Sequence, residues 1–274
     1  MSSIYVLASG KGGVGKSTLA ANLAVLLARA GKSVALIDTD LGLRSQDLLL
    51  GVENSIVYDL MDVAEGKCLL SEAMLDVPGI HGLRLLPAAQ FVRVRDLNSR
   101  KLKRMISLLK RQYDFVLIDC PAGLERGLRN VLNACKSLKT LLVVTPDDLS
   151  IRDAERVCGI LEQKELPRPR LLVNRLQNDL IYRGEMYTAR TIADLMDLEL
   201  AGEIPEDGIF YTAQLRHRLA VDYDSEGTRA LARIADRLQG KSVDFPEYGL
   251  NKTSFFRRHF PRHPREVKTA ECRS

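Results

Sequence analysis

Short aliphatic and β-branched runs recur along this chain, separated by longer amphipathic stretches. The runs at 4–8, 33–38, 83–86, 115–119, 140–145, 170–174 and 199–204 are almost continuously apolar, the pattern of strands buried on both faces. Between them, residues 17–30, 97–112, 127–134, 151–164, 188–196 and 226–239 carry apolar positions at helical spacing. Strands alternating with helices predict an α/β fold, a mostly parallel twisted sheet with helices on both faces. Ligands of such sheets bind at the carboxyl ends of the strands, so the loops that follow the strands are the places to look for chemistry. No internal repeat or low-complexity tract interrupts the pattern. It stops near residues 243–250, where Phe245-Pro246 ends the last helical stretch, and this divides the chain into a body, 1–248, and a tail, 249–274.

A chain of 274 residues with 46% hydrophobic and 27% charged residues has material for one large domain. No apolar run reaches the roughly 20 residues that cross a bilayer. Met1 leads almost directly into the first strand, without the charged region and cleavage site of an export signal, so a cytoplasmic protein is expected. The five cysteines, Cys68, Cys120, Cys135, Cys158 and Cys272, are odd in number and lack CxxC or zinc-ligand spacing, which implies a reducing compartment. The formal charge of +5 is carried by the tail: residues 249–274 hold seven Lys or Arg against two acids, and the first 248 residues are formally neutral. A neutral body argues against a protein that coats nucleic acid with its whole surface. A concentrated basic end suits a local anionic partner such as lipid headgroups.

Gly10-Lys11-Gly12-Gly13-Val14-Gly15-Lys16-Ser17 fits GxxxxGK[ST] between a predicted strand and a predicted helix, with Thr18 continuing the helix start. Glycines there let successive N–H groups turn toward phosphates, and the helix N-terminus adds its dipole. Lys16 is placed for the β- and γ-phosphates of ATP, and the Ser17 hydroxyl for Mg²⁺. Three acids end strands on the same rim: Asp38 and Asp40 after one, and Asp119 after another, where it suits a Mg²⁺-holding role. An Asp after a strand also caps turns, so position alone leaves both readings open.

The second lysine, Lys11, directly after the first glycine, makes the loop resemble that of the deviant Walker A (ParA/MinD) family of P-loop ATPases, KGGxGK[ST]. That family includes cell-division, plasmid-partition and nitrogenase iron proteins. Its division-site branch is resembled most closely, through Asp40-Leu41-Gly42-Leu43-Arg44, Val57-Tyr58-Asp59-Leu60, Leu86-Pro87-Ala88-Ala89-Gln90, Asp119 to Gly123, Ser150-Ile151-Arg152-Asp153, Arg183-Gly184-Glu185-Met186 and Gly202 to Asp207, in family order. The resemblance implies a single P-loop NTPase domain that hydrolyses ATP with Mg²⁺ and closes into an ATP-dependent homodimer, in which Lys11 reaches the partner's nucleotide. It implies that Asp40 positions the attacking water, that Asp38 supports it and the metal, and that Asn174, Pro205, Glu206 and Asp207 surround the adenine. It further implies a MinC-like division inhibitor and a MinE-like activator as partners, in division-site placement. A ParA-type DNA-segregation ATPase and a flagellar-number ATPase are the alternatives. The first calls for basic residues over the whole body, and the second for an N-terminal extension that has no room before Ser9. Two departures from the family stand out: Cys120 replaces an alanine or serine, a change of so little bulk that function is expected to survive although oxidation beside the metal site could inactivate the protein, and residues 208–217 replace a polar Asn- and Gly-rich loop.

In the tail, Phe255, Phe256 and Phe260 fall within an arc of about 140° on a helix, with Arg257 and Arg258 opposite. The family's tail carries a similar core. Pro261 ends the segment after about three turns, too short to persist as a helix in water. The expectation is an amphipathic anchor that folds on anionic lipid at the inner face of the cell membrane. One copy binds weakly, and an ATP-bound dimer supplies two.

Overall fold

The computed structural model describes residues 2–41, 44–90, 97–123, 126–246 and 248. The membrane-anchor residues Phe255, Phe256, Arg257, Arg258 and Phe260, with the rest of the 249–274 tail, lie outside the described residues. In chain order the elements are β1 (Ser3–Ala8), α1 (Lys16–Arg29), β2 (Val34–Asp38), α2 (Gln46–Leu50), α3 (Leu60–Glu65), α4 (Leu70–Ala73), β3 (Leu75–Asp76), β4 (Leu83–Leu86), α5 (Ser99–Leu109) and β5 (Phe115–Asp119). They continue with α6 (Arg126–Ala134), β6 (Lys139–Val144), α7 (Asp148–Gln163), β7 (Arg170–Leu176), α8 (Asn178–Arg183), α9 (Ala189–Met196), β8 (Glu199–Pro205), α10 (Ile209–Leu215) and α11 (Glu226–Leu238).

The eight strands form one sheet in the order β3-β4-β2-β5-β1-β6-β7-β8. All neighbours run parallel except the two-residue edge strand β3, antiparallel to β4. Each sheet face has its own core. Ile4, Val6 and Ala8 of β1 pack with Leu102 of α5, Val131 of α6, Val157 of α7 and Ile192 of α9. Tyr5 and Leu7, on the opposite face, pack with Leu23 of α1 and Ile234 of α11. Side chains alternate faces along a strand, so strands covered on both sides must be apolar at every position, and this is the origin of the continuous apolar runs.

Helix starts follow their caps. Asp147 accepts from the Ser150 N–H at 2.9 Å, so α7 begins three residues before the 151 expected from hydrophobic spacing. Asn98 likewise caps α5 by accepting from the Lys101 N–H at 3.0 Å, which starts that helix two residues after the expected 97.

β8, the edge strand, meets α11 through Gly202. A Cβ at 202 would lie 2.2 Å from Cγ1 and 2.5 Å from Cδ1 of Ile234, which is fully buried. Gly202→Val should therefore overpack this seam and lower unfolding stability by about 1–3 kcal/mol. Urea denaturation should show a lower midpoint with unchanged slope, and Ile234→Ala in the same chain should recover part of the loss; equal midpoints for Gly202→Val and wild type would refute the close approach.

Candidate functional site

The expected site residues converge at the carboxyl ends of the central strands. β1 runs into the phosphate loop, and α1 starts directly after it, its first turn free of acidic residues and without a side-chain cap at Gly15. The first N–H groups of α1 are thus left for an external acceptor. Two glycines here are obligatory for different reasons. A Cβ at Gly10 would lie 2.3 Å from the Asp153 carbonyl of α7, whereas Gly15 takes φ +91°, left-handed backbone that side chains disfavour. Asn174, at the end of β7, holds the loop from the other side by donating its Nδ2 to the Val14 carbonyl at 2.8 Å.

Lys16 is buried and donates to Asp119 Oδ1 at 3.2 Å, with side-chain exposures of 6% and 0%. Asp119 is further held through Oδ2, which accepts from Gln46 Nε2 at 2.7 Å, and the same Nε2 donates to the Ser17 carbonyl at 3.0 Å. Gln46, the first residue of α2, thus ties the metal-side acid to the phosphate loop. Sequence reading missed it, because a glutamine carries no charge signal and its helix is only five residues long.

Asp38 and Asp119 occupy paired positions on the adjacent strands β2 and β5. Asp38 accepts from the Asp40 N–H at 2.9 Å through Oδ1, and from the Ser45 and Gln46 N–H groups at 3.2 and 3.1 Å through Oδ2. Its carboxylate therefore holds the β2–α2 loop in place with both oxygens. Burial, then the charge of Asp119, pushes its pKa up to about 7 against those N–H bonds. Asp40 is half-buried; burial raises its pKa, Lys16 pulls it down and Asp119 pushes it up again.

This arrangement fits a Mg–nucleoside triphosphate. Three acids crowd around one buried lysine, so further positive charge is what the cleft lacks. Two buried acceptors in the first turn of α2, Gln46 Oε1 and Asp47 Oδ1, have no hydrogen-bond partner among the described residues. Among the described residues no three side chains form a self-sufficient metal cage, and Mg²⁺ shared between one or two carboxylates and phosphates requires none. Asp119 and the Ser17 hydroxyl are the residues that would hold the ion, which would neutralise phosphate charge.

Beside the loop, Gly15, Thr18, Asn174, Pro205, Glu206 and Asp207 line one cleft, so the residues expected around the base are brought together. The divergent segment adds Phe210, Tyr211 and Gln214 of α10 to the same cleft, along with Arg175, which takes φ +64° at the irregularity between β7 and β8. Lys11 is on the rim, donating to Asp147 at 2.9 and 3.1 Å, with its side chain 33% exposed. Asp147 was not anticipated as its partner. Cys120 corrects an expectation: it is fully buried and burial pushes its thiol up to about 12, so it has neither the exposure nor the thiolate that oxidation requires.

Comparison with known proteins agrees with this geometry. Residues 1–238 match the ParA family, described as the NUBPL iron-transfer P-loop NTPase. The septum site-determining protein MinD of Bacillus subtilis is 39% identical over 246 residues, covering 89% of this chain and 91% of that protein. The solved MinC:MinD cell division complex of Aquifex aeolicus superposes with a TM-score of 0.82 at 36% identity, covering 90% of this chain and 99% of that one. MinD of Pyrococcus horikoshii, solved with Mg-ADP, gives a TM-score of 0.77 at 32% identity, covering 87% and 96%. With the phosphate loop, the strand-end acids and the cleft beside the loop in one place, this chain belongs to the septum site-determining MinD family of P-loop ATPases and is an ATP hydrolase of division-site placement.

Proposed function

We propose that ATP closes two copies of this chain into a homodimer, that the paired C-terminal tails hold the dimer on anionic lipid at the inner face of the cell membrane, and that hydrolysis releases it. The dimer recruits a MinC-like division inhibitor and is stimulated by a MinE-like activator. The observation that carries this reading is the pair of lysines in one loop, one buried and one on the rim. Lys16 serves the phosphates of its own nucleotide. Among the described residues the Lys11 side chain pairs with Asp147 in an exposed ion pair, worth less than about 1 kcal/mol, which phosphate oxygens presented by a second copy would outcompete.

Within each site, Asp40 polarises the attacking water, Asp38 keeps the loop bearing Asp40 in place, and Asp119 with Ser17 holds the metal. Asn174, Pro205, Glu206 and Asp207 receive the base. The MinC partner is supported by the Aquifex complex, whose MinD chain this chain resembles over 90% of its length. No helix among the described residues is long and apolar enough to cross a membrane; attachment is assigned to the tail because its clustered Phe residues and net positive charge suit an interface.

Lys16→Gln should abolish ATP turnover in a phosphate-release assay with lipid and activator present; normal hydrolysis by that variant would remove the phosphate-loop assignment. Lys11→Ala should remain a single-subunit species in light scattering with a nonhydrolysable triphosphate, under conditions where the wild-type mass doubles. A doubled mass for the variant would show that Lys11 is not needed for closure. Replacing Phe256 and Phe260 with Asp should eliminate ATP-dependent sedimentation with anionic liposomes while nucleotide affinity stays within about twofold, and unchanged sedimentation would dispose of the anchor.

A further inference from the structure

A second cavity, of about 820 Å³, opens away from the nucleotide site, between α9, the edge strand β8 and the last described stretch of chain. Its walls include Arg190, Leu200, Val243, Phe245 and Tyr248. Glu203 of β8 faces into it. Glu203 is only 8% exposed, and its buried Oε1 has no hydrogen-bond partner among the described residues. Burial pushes the Glu203 pKa up to about 7, and the charges of Arg237, Arg233 and Arg190 do not offset it. All three arginines have their own places: Arg237 and Arg233 are committed to the connector that follows α11, and Arg190 is exposed on α9. A buried carboxylate oxygen with no donor is costly and marks a place where a donor belongs.

That connector is anchored. Arg237 donates to the carbonyls of Val243 at 3.0 Å, Asp244 at 2.8 Å and Ala201 at 3.4 Å, and its guanidinium lies 3.7 Å over the Phe245 ring. Arg233 donates to the Tyr248 hydroxyl at 3.1 Å, and that hydroxyl donates to Glu226 Oε1 at 3.4 Å. The chain therefore leaves the body from a fixed point on the cavity wall. The first cation beyond it, Lys252, follows Tyr248 by four residues, a span of at most about 14 Å.

We propose that the cavity is the docking site of the chain's own tail, with the Lys252 ammonium donating to Glu203. The argument is complementarity and reach: a buried acceptor without a donor lies beside the root of a segment with seven cations and two acids. A tail tethered at Lys252 keeps Phe255, Phe256 and Phe260, which follow within eight residues, near the body. Lipid then competes with Glu203 for the tail, so docking opposes membrane attachment of the single subunit and sharpens its dependence on pairing. This consequence rests on the lipid reading; the docking contact does not.

Limited trypsin digestion of the full chain without lipid, followed by mass spectrometry, tests it. Glu203→Gln should speed cleavage after Arg257 by about fivefold, the population shift expected of one lost, partly buried ion pair. Lys252→Ala should do the same, and the double variant should be no faster than either single change. Cleavage at the wild-type rate in Lys252→Ala overturns the proposal; this substitution is made in the tail and leaves the Glu203 side untouched, so misfolding of the Glu203 variant leaves the test decisive. Acceleration by Glu203→Gln alone would place another group in the cavity and also overturn it. With ADP and anionic liposomes, Glu203→Gln, which leaves the tail's own charge intact, should sediment more than wild type; failure of that arm with faster digestion would tell against lipid as the competitor and leave docking standing.

Discussion

Two buried acids in register on neighbouring strands, Asp38 and Asp119, set the terms for the rest of the nucleotide site. A sheet covered on both faces is apolar along its strands, so its polar groups are displaced to the strand ends, where parallel strands bring like side chains side by side. The charges are made tolerable in different ways. Asp119 is given a lysine and a glutamine, whereas Asp38 is given three backbone N–H groups from the loop it encloses. The loop after β2 and the phosphate loop therefore share one charge balance. A phosphate that drew Lys16 away would leave Asp119 short of its cation, a charge that a bound metal ion would replace.

What could be read in advance follows from this division of labour. The long strands and helices were legible because covering both faces of a sheet forces unbroken apolar runs and leaves amphipathic helices between them. β3 was not, since two residues have no period, and neither were α2, α3, α4, α8 and α10, whose lengths of four to seven residues span one or two turns. In the site, the glycines, lysines and acids announce themselves by charge and spacing. Gln46 and Arg175 do not, because their roles depend on where a short helix and a strand irregularity place them. Asp147 was legible as a helix cap in principle, but its bond to Lys11 joins residues 136 positions apart and leaves no local trace.

The same contrast explains Asp38. Both of its oxygens accept from backbone N–H groups that only the folded loop presents, a support that its position after a strand does not reveal. A carboxylate so held fixes the backbone at Asp40 and Gln46, and Gln46 in turn donates its side chain to Asp119.

The divergent segment after Asp207 connects the base cleft to the far end of the molecule. Asp207 accepts from the Ile209 N–H at 3.0 Å and from the Gly227 N–H at 2.9 Å, joining the base loop to the start of α11. The fit is close: a Cβ at Gly227 would lie 2.7 Å from the Phe210 ring and 3.0 Å from Asp207. α11 then runs for 13 residues, roughly 20 Å, and its last turns carry Arg233 and Arg237, which anchor the connector to the tail. One packed helix thus has the nucleotide loop at its beginning and the root of the tail at its end. Such a rod transmits a change only if its two ends have alternative arrangements. Under the docking proposed above, a tail either held at Glu203 or free would give one end two forms, and filling or emptying the cleft beside the phosphate loop would give the other end its own.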